Sequence, residues 1–125
     1  MKVTVIATVL NEEDSAAELV RSLIAQTRLP DEVIISDGGS TDKTVEVLRS
    51  TNGDRLNLQI LNLPGTNISE GRNAAIGRAK GDVIAVTDAG VLLKPTWLEQ
   101  LVAPFEKRPG RVDVVSGFFE PAPRT

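Results

Sequence analysis

Three carboxylates and one guanidinium are the groups in this chain whose positions suggest chemistry. Glu12, Asp37 and Asp88 each stand just after a short apolar run rich in β-branched residues, and Arg72 follows Ile68 by four residues in a segment with helical spacing. Carboxylates accept hydrogen bonds from sugar hydroxyls and from ring N–H groups, and they hold hard divalent cations such as magnesium or manganese. A crevice floored by carboxylates suits a base, a ribose and a metal-bridged diphosphate better than a bare phosphate. Each residue also has an ordinary explanation. Asp is a common turn former, and an arginine on an apolar stripe can lay its stem on the core with its head in water. The recurrence of acidic residues at three strand ends is what favours a site. The chain has no histidine and no cysteine. That removes zinc sites of the usual ligand types, Ser-His-Asp machinery, thiolate chemistry and disulfides.

The elements that must position these groups alternate along the chain. Val3 to Val9 reads as a strand, and Asn11 through Ser15 supply helix-start residues. Ala16, Val20, Leu23, Ile24 and Thr27 follow at helical spacing, and Pro30-Asp31 breaks that helix. Glu32 to Ser36 is a second strand, ending at Asp37 and the turn Gly38-Gly39-Ser40. Ser40 or Thr41 can cap a short helix carrying Val45 and Leu48. Leu56 to Leu63 alternates like a half-exposed strand, which places it near a sheet edge. A helix starting near Asn67 or Ser69 has Ile68, Ala75, Ile76 and Ala79 as its apolar stripe, with Arg72 on it.

Gly81 closes that helix, and Val83 to Val86 has the continuous apolar character of a strand buried on both faces. A helix bearing Trp97, Leu98, Leu101, Val102 and Phe105 ends around Pro104 to Pro109. Pro109-Gly110 is a turn, Val112 to Phe119 a last strand, and the tail from Pro121 has no pattern. Strand–helix alternation predicts an α/β fold, a Rossmann-related and mostly parallel sheet with helices on both faces. If the strand order reverses beside the first strand, the three acidic loops meet at one crevice.

The length suits one domain of ordinary size, and the formal net charge is −3 with Lys and Arg scattered. No basic cluster marks a nucleic-acid partner. No apolar run approaches membrane-spanning length, so no membrane association is visible, and the chain is expected to be cytoplasmic. The N-terminal Lys2-to-Leu10 run lacks a small-residue cleavage site and reads as the first strand. No Gly-x-Gly-x-x-Gly turn follows that strand, and there is no Walker A loop. A phospho-receiver domain would also have acidic strand ends and a Lys-Pro pair. Here Asp88 and Lys94-Pro95 follow the same strand, which is the wrong order.

Four segments, in sequence order, carry a resemblance. They are Thr8-Val9-Leu10-Asn11-Glu12-Glu13, Ser36-Asp37-Gly38-Gly39-Ser40-Thr41-Asp42, Gly71-Arg72-Asn73-Ala74-Ala75, and Gly81 to Gly90 followed by Pro95-Thr96-Trp97-Leu98-Glu99. Together they resemble the motifs of family 2 glycosyltransferases with the GT-A fold. The resemblance implies binding of a nucleotide-diphospho-sugar donor and inverting transfer of a hexosyl group to an acceptor hydroxyl, on a saccharide, lipid or protein. It implies a nucleotide-binding role for Thr8, Leu10, Glu12, Asp37, Arg72 and Asp88. Asp37 stands where the family meets the base, and Asp88 where it holds magnesium or manganese.

A carboxylate at Asp37 can accept the ring N–H of uracil, thymine or guanine, which points to UDP ahead of dTDP or GDP. Two positions depart from the family pattern. Gly90 replaces the second Asp of its Asp-x-Asp motif, and Gly38 replaces the second Asp of its glycine turn. Family members continue into an acceptor-binding half that carries the catalytic base. Residues 1–125 are therefore expected to be the donor-binding part, with no catalytic residue of their own and no transfer by themselves. The rival of another class is a non-catalytic nucleotide-binding or regulatory module.

Overall fold

The computed structural model describes residues 1–107, 113–116 and 120–121. Strands β1 (Val3–Val9), β2 (Glu32–Asp37), β3 (Leu58–Asn62), β4 (Val83–Val86) and β6 (Asp113–Ser116) form one parallel sheet in the order β3-β2-β1-β4-β6. The short strands β5 (Val91–Leu92) and β7 (Glu120–Pro121) pair antiparallel in a separate ribbon. The expected Pro109-Gly110 turn, and Val112 and Phe119 at the bounds of the last strand, lie outside the described residues. The tail expected to lack pattern begins at Pro121, which pairs with Val91.

Period-two alternation sorts the strand residues onto two faces. Val3, Val5, Ala7 and Val9 of β1 and Val33 and Ile35 of β2 face one cluster, with Val83 and Ala85 of β4. That cluster also takes Ala16, Leu19, Val20 and Leu23 of helix α1 (Glu13–Ile24) and Leu48 of α2 (Thr44–Asn52). Trp97, Leu98 and Val102 of α4 (Trp97–Val102) complete it. Ile6, Ile34 and Ile84 face the other way, against Ala75 of α3 (Ile68–Arg78). β1, β2 and β4 are buried on both faces, as a parallel sheet between helices requires. Among the described residues β3 pairs only with β2 and leaves Gln59 exposed, so the expected edge strand is an edge strand.

Local chemistry sets the ends of the elements. Asn67 caps α3 in a reciprocal box: its side chain accepts the Glu70 N–H at 2.8 Å, and the Glu70 carboxylate accepts the Asn67 N–H at 3.0 Å. α2 begins at Thr44, later than a cap at Ser40 or Thr41 would give, because Ser40 is bonded to Asp37 instead. α4 gives way to a 3₁₀ turn over Ala103–Lys107, where Pro104 has no N–H to continue the α-helical ladder. At the start of β4 the chain passes so close to β1 that a β-carbon on Gly81 would lie 2.6 Å from the Thr4 hydroxyl. That hydroxyl accepts the Gly81 N–H at 3.0 Å and donates to Glu32 at 2.6 Å, which fixes β4 against β1 and β2.

Candidate functional site

β1 has β2 on one side and β4 on the other, and the strand order therefore reverses at its carboxyl end. Open α/β sheets bind ligands at such switch points. An open crevice of about 640 Å³ lies there, within the range of small-molecule sites. Its lining includes Thr8, Leu10 and Glu12 from β1 and its loop, Ser36 from β2 and Gly38 just after it, Asp88 and Gly90 beyond β4, and the first turns of α3 up to Arg72. Five of the six residues expected from sequence are thus together: Thr8, Leu10, Glu12, Arg72 and Asp88.

Asp37 is not with them. Counting by twos from Val33 and Ile35 puts it on the α1/α2 face, while Ile34, Ser36 and Gly38 share the α3 face. It is 3% exposed, and its carboxylate accepts the Ser40 amide at 3.1 Å and the Ser40 hydroxyl. An Asp held in that way shapes the turn after β2, and the expectation that it meets a ligand is not matched by its placement.

Arg72 reaches the crevice for a different reason from the one its spacing suggests. Ile68 is 63% exposed, so the sheet-facing stripe of α3 is Gly71 and Ala75 rather than Ile68 and Arg72. A β-carbon on Gly71 would lie 3.3 Å from both Ser36 Cβ and Thr8 Cγ2, and the Ser36 hydroxyl donates to the Gly71 carbonyl at 2.6 Å. The bare backbone at Gly71 lets α3 lie on the ends of β1 and β2. Arg72, the next residue round the helix, is half-buried at the rim. Ser36, Gly38, Thr66, Ile68 and Ser69 also line the crevice, beyond the six residues expected from sequence. For Ser36 and Gly38 the signal was available in their even spacing from Ile34.

Among the described residues, the side chains of Thr8, Ser69, Arg72 and Asp88 make no hydrogen bond or ion pair with the rest of the chain. Glu12 is engaged, accepting the Ser15 hydroxyl at 3.0 Å. A free guanidinium, a free carboxylate and two free hydroxyls thus share one crevice. That set can bind an anion, a sugar hydroxyl or a ring donor. No group of three His, Cys, Asp or Glu side chains able to cage a metal occurs among the described residues. The open carboxylate of Asp88 fits a hard cation only where the cation's other ligands come from water and from a bound diphosphate, as magnesium commonly takes them. No helix among the described residues is long and apolar enough to cross a membrane.

Comparison with known proteins agrees with this geometry. The chain is 35% identical over 88 residues to chondroitin synthase of Pasteurella multocida, a match covering 70% of this chain and 9% of that protein. It superposes on S. aureus TarS in complex with UDP-GlcNAc with a TM-score of 0.75 and 28% identity, covering 86% of this chain and 31% of that one. It superposes on the mannosyltransferase PcManGT of Pyrobaculum calidifontis in complex with GDP-Man and Mn2+ with a TM-score of 0.68 and 28% identity, covering 73% of this chain and 28% of that one. The chain therefore spans less than a third of the length of each of these proteins. The fold is the GT-A fold of glycosyltransferases, as the sequence motifs implied. The family model for glycosyl transferase family 2 matches residues 4–122, and the chain belongs to that family.

Proposed function

We propose that the crevice binds a nucleotide-diphospho-sugar, a UDP-sugar first, as donor for inverting transfer of a hexosyl group to an acceptor hydroxyl. The single observation that carries this reading is the pairing of a free Arg72 and a free Asp88 in one crevice at the switch point of a family 2 chain. TarS, which is known in complex with UDP-GlcNAc, supports the choice of UDP. A GDP-sugar is the second reading, supported by the GDP-Man complex of PcManGT.

In the proposed complex Arg72 meets the diphosphate through charge-assisted hydrogen bonds. Asp88 accepts from a ribose hydroxyl or holds magnesium or manganese bound with the diphosphate. Thr8 and Glu12 face the nucleoside, and Leu10 packs on it. The reaction is attack of the acceptor hydroxyl on the anomeric carbon as the nucleoside diphosphate leaves with the bonding electrons. A divalent metal, when bound, offsets charge on that leaving group. Proton removal from the acceptor is assigned to no residue among 1–125, and we expect donor binding without sugar transfer by these residues alone.

Linked calorimetric titrations test the reading. Manganese alone should bind weakly, because Asp88 is a single carboxylate and Gly90 adds none. UDP should bind more tightly with manganese present, and manganese more tightly by the same factor with UDP present. Zero coupling would reject the metal-bridged form. Absence of UDP and GDP binding under any condition would reject the nucleotide-binding form as well.

A further inference from the structure

We propose that the outer edge of β3 pairs with a second copy of this chain, joining two sheets into one across a twofold axis at Ile60. This surface lies at the end of the sheet, away from the crevice, and it stands or falls independently of the nucleotide reading. β3 ends the five-stranded sheet, and among the described residues its outer side has no partner. An open strand edge is a template for another strand, and proteins that must stay apart blunt it with lysine, proline or a bulge.

β3 carries none of these. Residues 56–69 form the longest uncharged run of the sequence, in a chain of which 25% is charged. No proline or glycine interrupts it between Leu56 and Leu63. The register from Leu58 to Asn62 against β2 is regular, without a bulge. Leu58 and Ile60 are half-buried against the α1/α2 cluster, and Gln59 and Asn62 are exposed.

The hydrogen bonds to β2 fix which backbone groups point outward. The Asn57 carbonyl accepts the Val33 N–H at 2.9 Å, and the Leu63 N–H donates to the Asp37 carbonyl at 2.8 Å. A strand residue points its N–H and C=O to the same side, and successive residues alternate. Asn57, Gln59, Leu61 and Leu63 therefore face β2, and Leu58, Ile60 and Asn62 face outward. Those three positions are symmetric about Ile60. An antiparallel second copy can set Ile60 against the partner's Ile60 and Leu58 against the partner's Asn62. Every outward N–H and C=O of the three residues then finds an acceptor or a donor on both copies. The same register sets Ile60 side chains together and Gln59 opposite the partner's Leu61, cross-strand pairs without a charge among them. The chain has a formal net charge of −3, so two copies repel at long range, and the uncharged edge is where they can approach. This self-complementarity selects a second copy over an unrelated strand.

Sedimentation and amide hydrogen exchange on the whole chain test the proposal. A strand pair is smaller than a standard interface, so the dissociation constant should be on the order of 100 μM. Sedimentation between about 10 μM and about 1 mM should show monomer passing to dimer. At about 1 mM the amides of Leu58, Ile60 and Asn62 should gain protection that they lack at low concentration, while Gln59, Leu61 and Leu63, bonded to β2, stay protected throughout. Gln59→Lys changes an exposed side chain. Across the pair it places two ammonium groups on diagonal positions whose Cα atoms are roughly 7–8 Å apart, and it should weaken the dimer by about tenfold or more. Its amides at Leu58, Ile60 and Asn62 should exchange fast at about 1 mM, with Leu61 and Leu63 still protected as evidence of an intact sheet. A chain that stays monomeric at about 1 mM would overturn the proposal and leave the edge to an extended segment of another protein. A dimer whose new protection lies away from β3, or one that Gln59→Lys leaves unchanged, would overturn it as well.

Discussion

The loops after β1 and β2 and the crevice beside α3 are built from the same residue types and differ in what those residues touch. In the loops nearly every polar group has a partner. Asn11, held at φ 52°, accepts the Thr41 amide at 2.9 Å through its side chain and gives its own amide to Ser40 Oγ at 2.9 Å. The Glu12 amide donates to the Thr44 hydroxyl at 2.8 Å, and Asp42 accepts the Thr44 amide at 2.9 Å and the Thr44 hydroxyl. Asp37 closes on Ser40. In the crevice, the side chains of Thr8, Ser69, Arg72 and Asp88 have no hydrogen-bond or ion-pair partner among the described residues. Polarity at a strand end thus does not distinguish scaffold from site. Hydrogen-bond satisfaction does, because a bonded carboxylate has less left to offer a ligand and an unbonded one gains most from it.

The largest effect should come from breaking the scaffold. Asp37→Ala leaves the Ser40 amide and hydroxyl without their acceptor and should lower unfolding free energy by about 2–3 kcal/mol, measured by urea denaturation. Nucleotide affinity in the folded fraction should stay within about threefold of the unaltered chain. Arg72→Ala should do the reverse. It removes a charge-assisted contact of about 1.5–3 kcal/mol, a loss of roughly ten- to hundredfold in UDP affinity, with denaturation midpoints almost unmoved. If Arg72→Ala destabilised the fold and left affinity intact, the two regions would have been assigned the wrong way round.

Gly90→Asp sharpens the contrast within the crevice. A β-carbon at Gly90 meets nothing within 4 Å, so a second carboxylate can stand near Asp88 without displacing other atoms. Manganese binding without nucleotide should tighten by about tenfold, read by calorimetry. The smallest effect concerns acid. The Thr44 hydroxyl foremost, against some desolvation and with help from the Thr44 and Glu13 amides, holds the Asp42 carboxyl below its ordinary value of 3.8. A carboxyl lowered in the folded state contributes stability above its unfolded value, and that contribution is lost as pH falls through the folded one. The melting temperature of the unaltered chain should therefore fall more steeply below about pH 4 than that of Asp42→Asn.

Much of this was legible in the residues. β1 and β4 have their expected bounds, and β3 takes the edge that its alternation indicated. Short continuous apolar runs between helices leave little freedom, since each can be satisfied only in the middle of a parallel sheet. The ribbon of Val91–Leu92 with Glu120–Pro121 was not legible, because two-residue strands carry no period and their pairing spans distant sequence. Within the site, Asp88 and Thr8 stand in the crevice at the strand ends where the sequence pattern sets them. Asp37 faces away from the crevice, because the alternation that puts Ser36 on the α3 face puts Asp37 on the other. Ile68 was assigned to the core by helical spacing alone. Gly71, which brings α3 onto the sheet, takes the buried place at the start of the helix, while Ala75, Ile76 and Ala79 of the expected stripe still pack on the sheet.

Backbone amide chemical shifts followed during titration with UDP and manganese test the central claim most directly. The account predicts that the amides of Thr8, Leu10, Gly38, Ile68 to Arg72 and Asp88 move together along one saturating curve, while those of Asn11 and Ser40 to Thr44 stay nearly still. Shifts centred on Ser40 to Thr44, with the start of α3 and Asp88 unmoved, would contradict it.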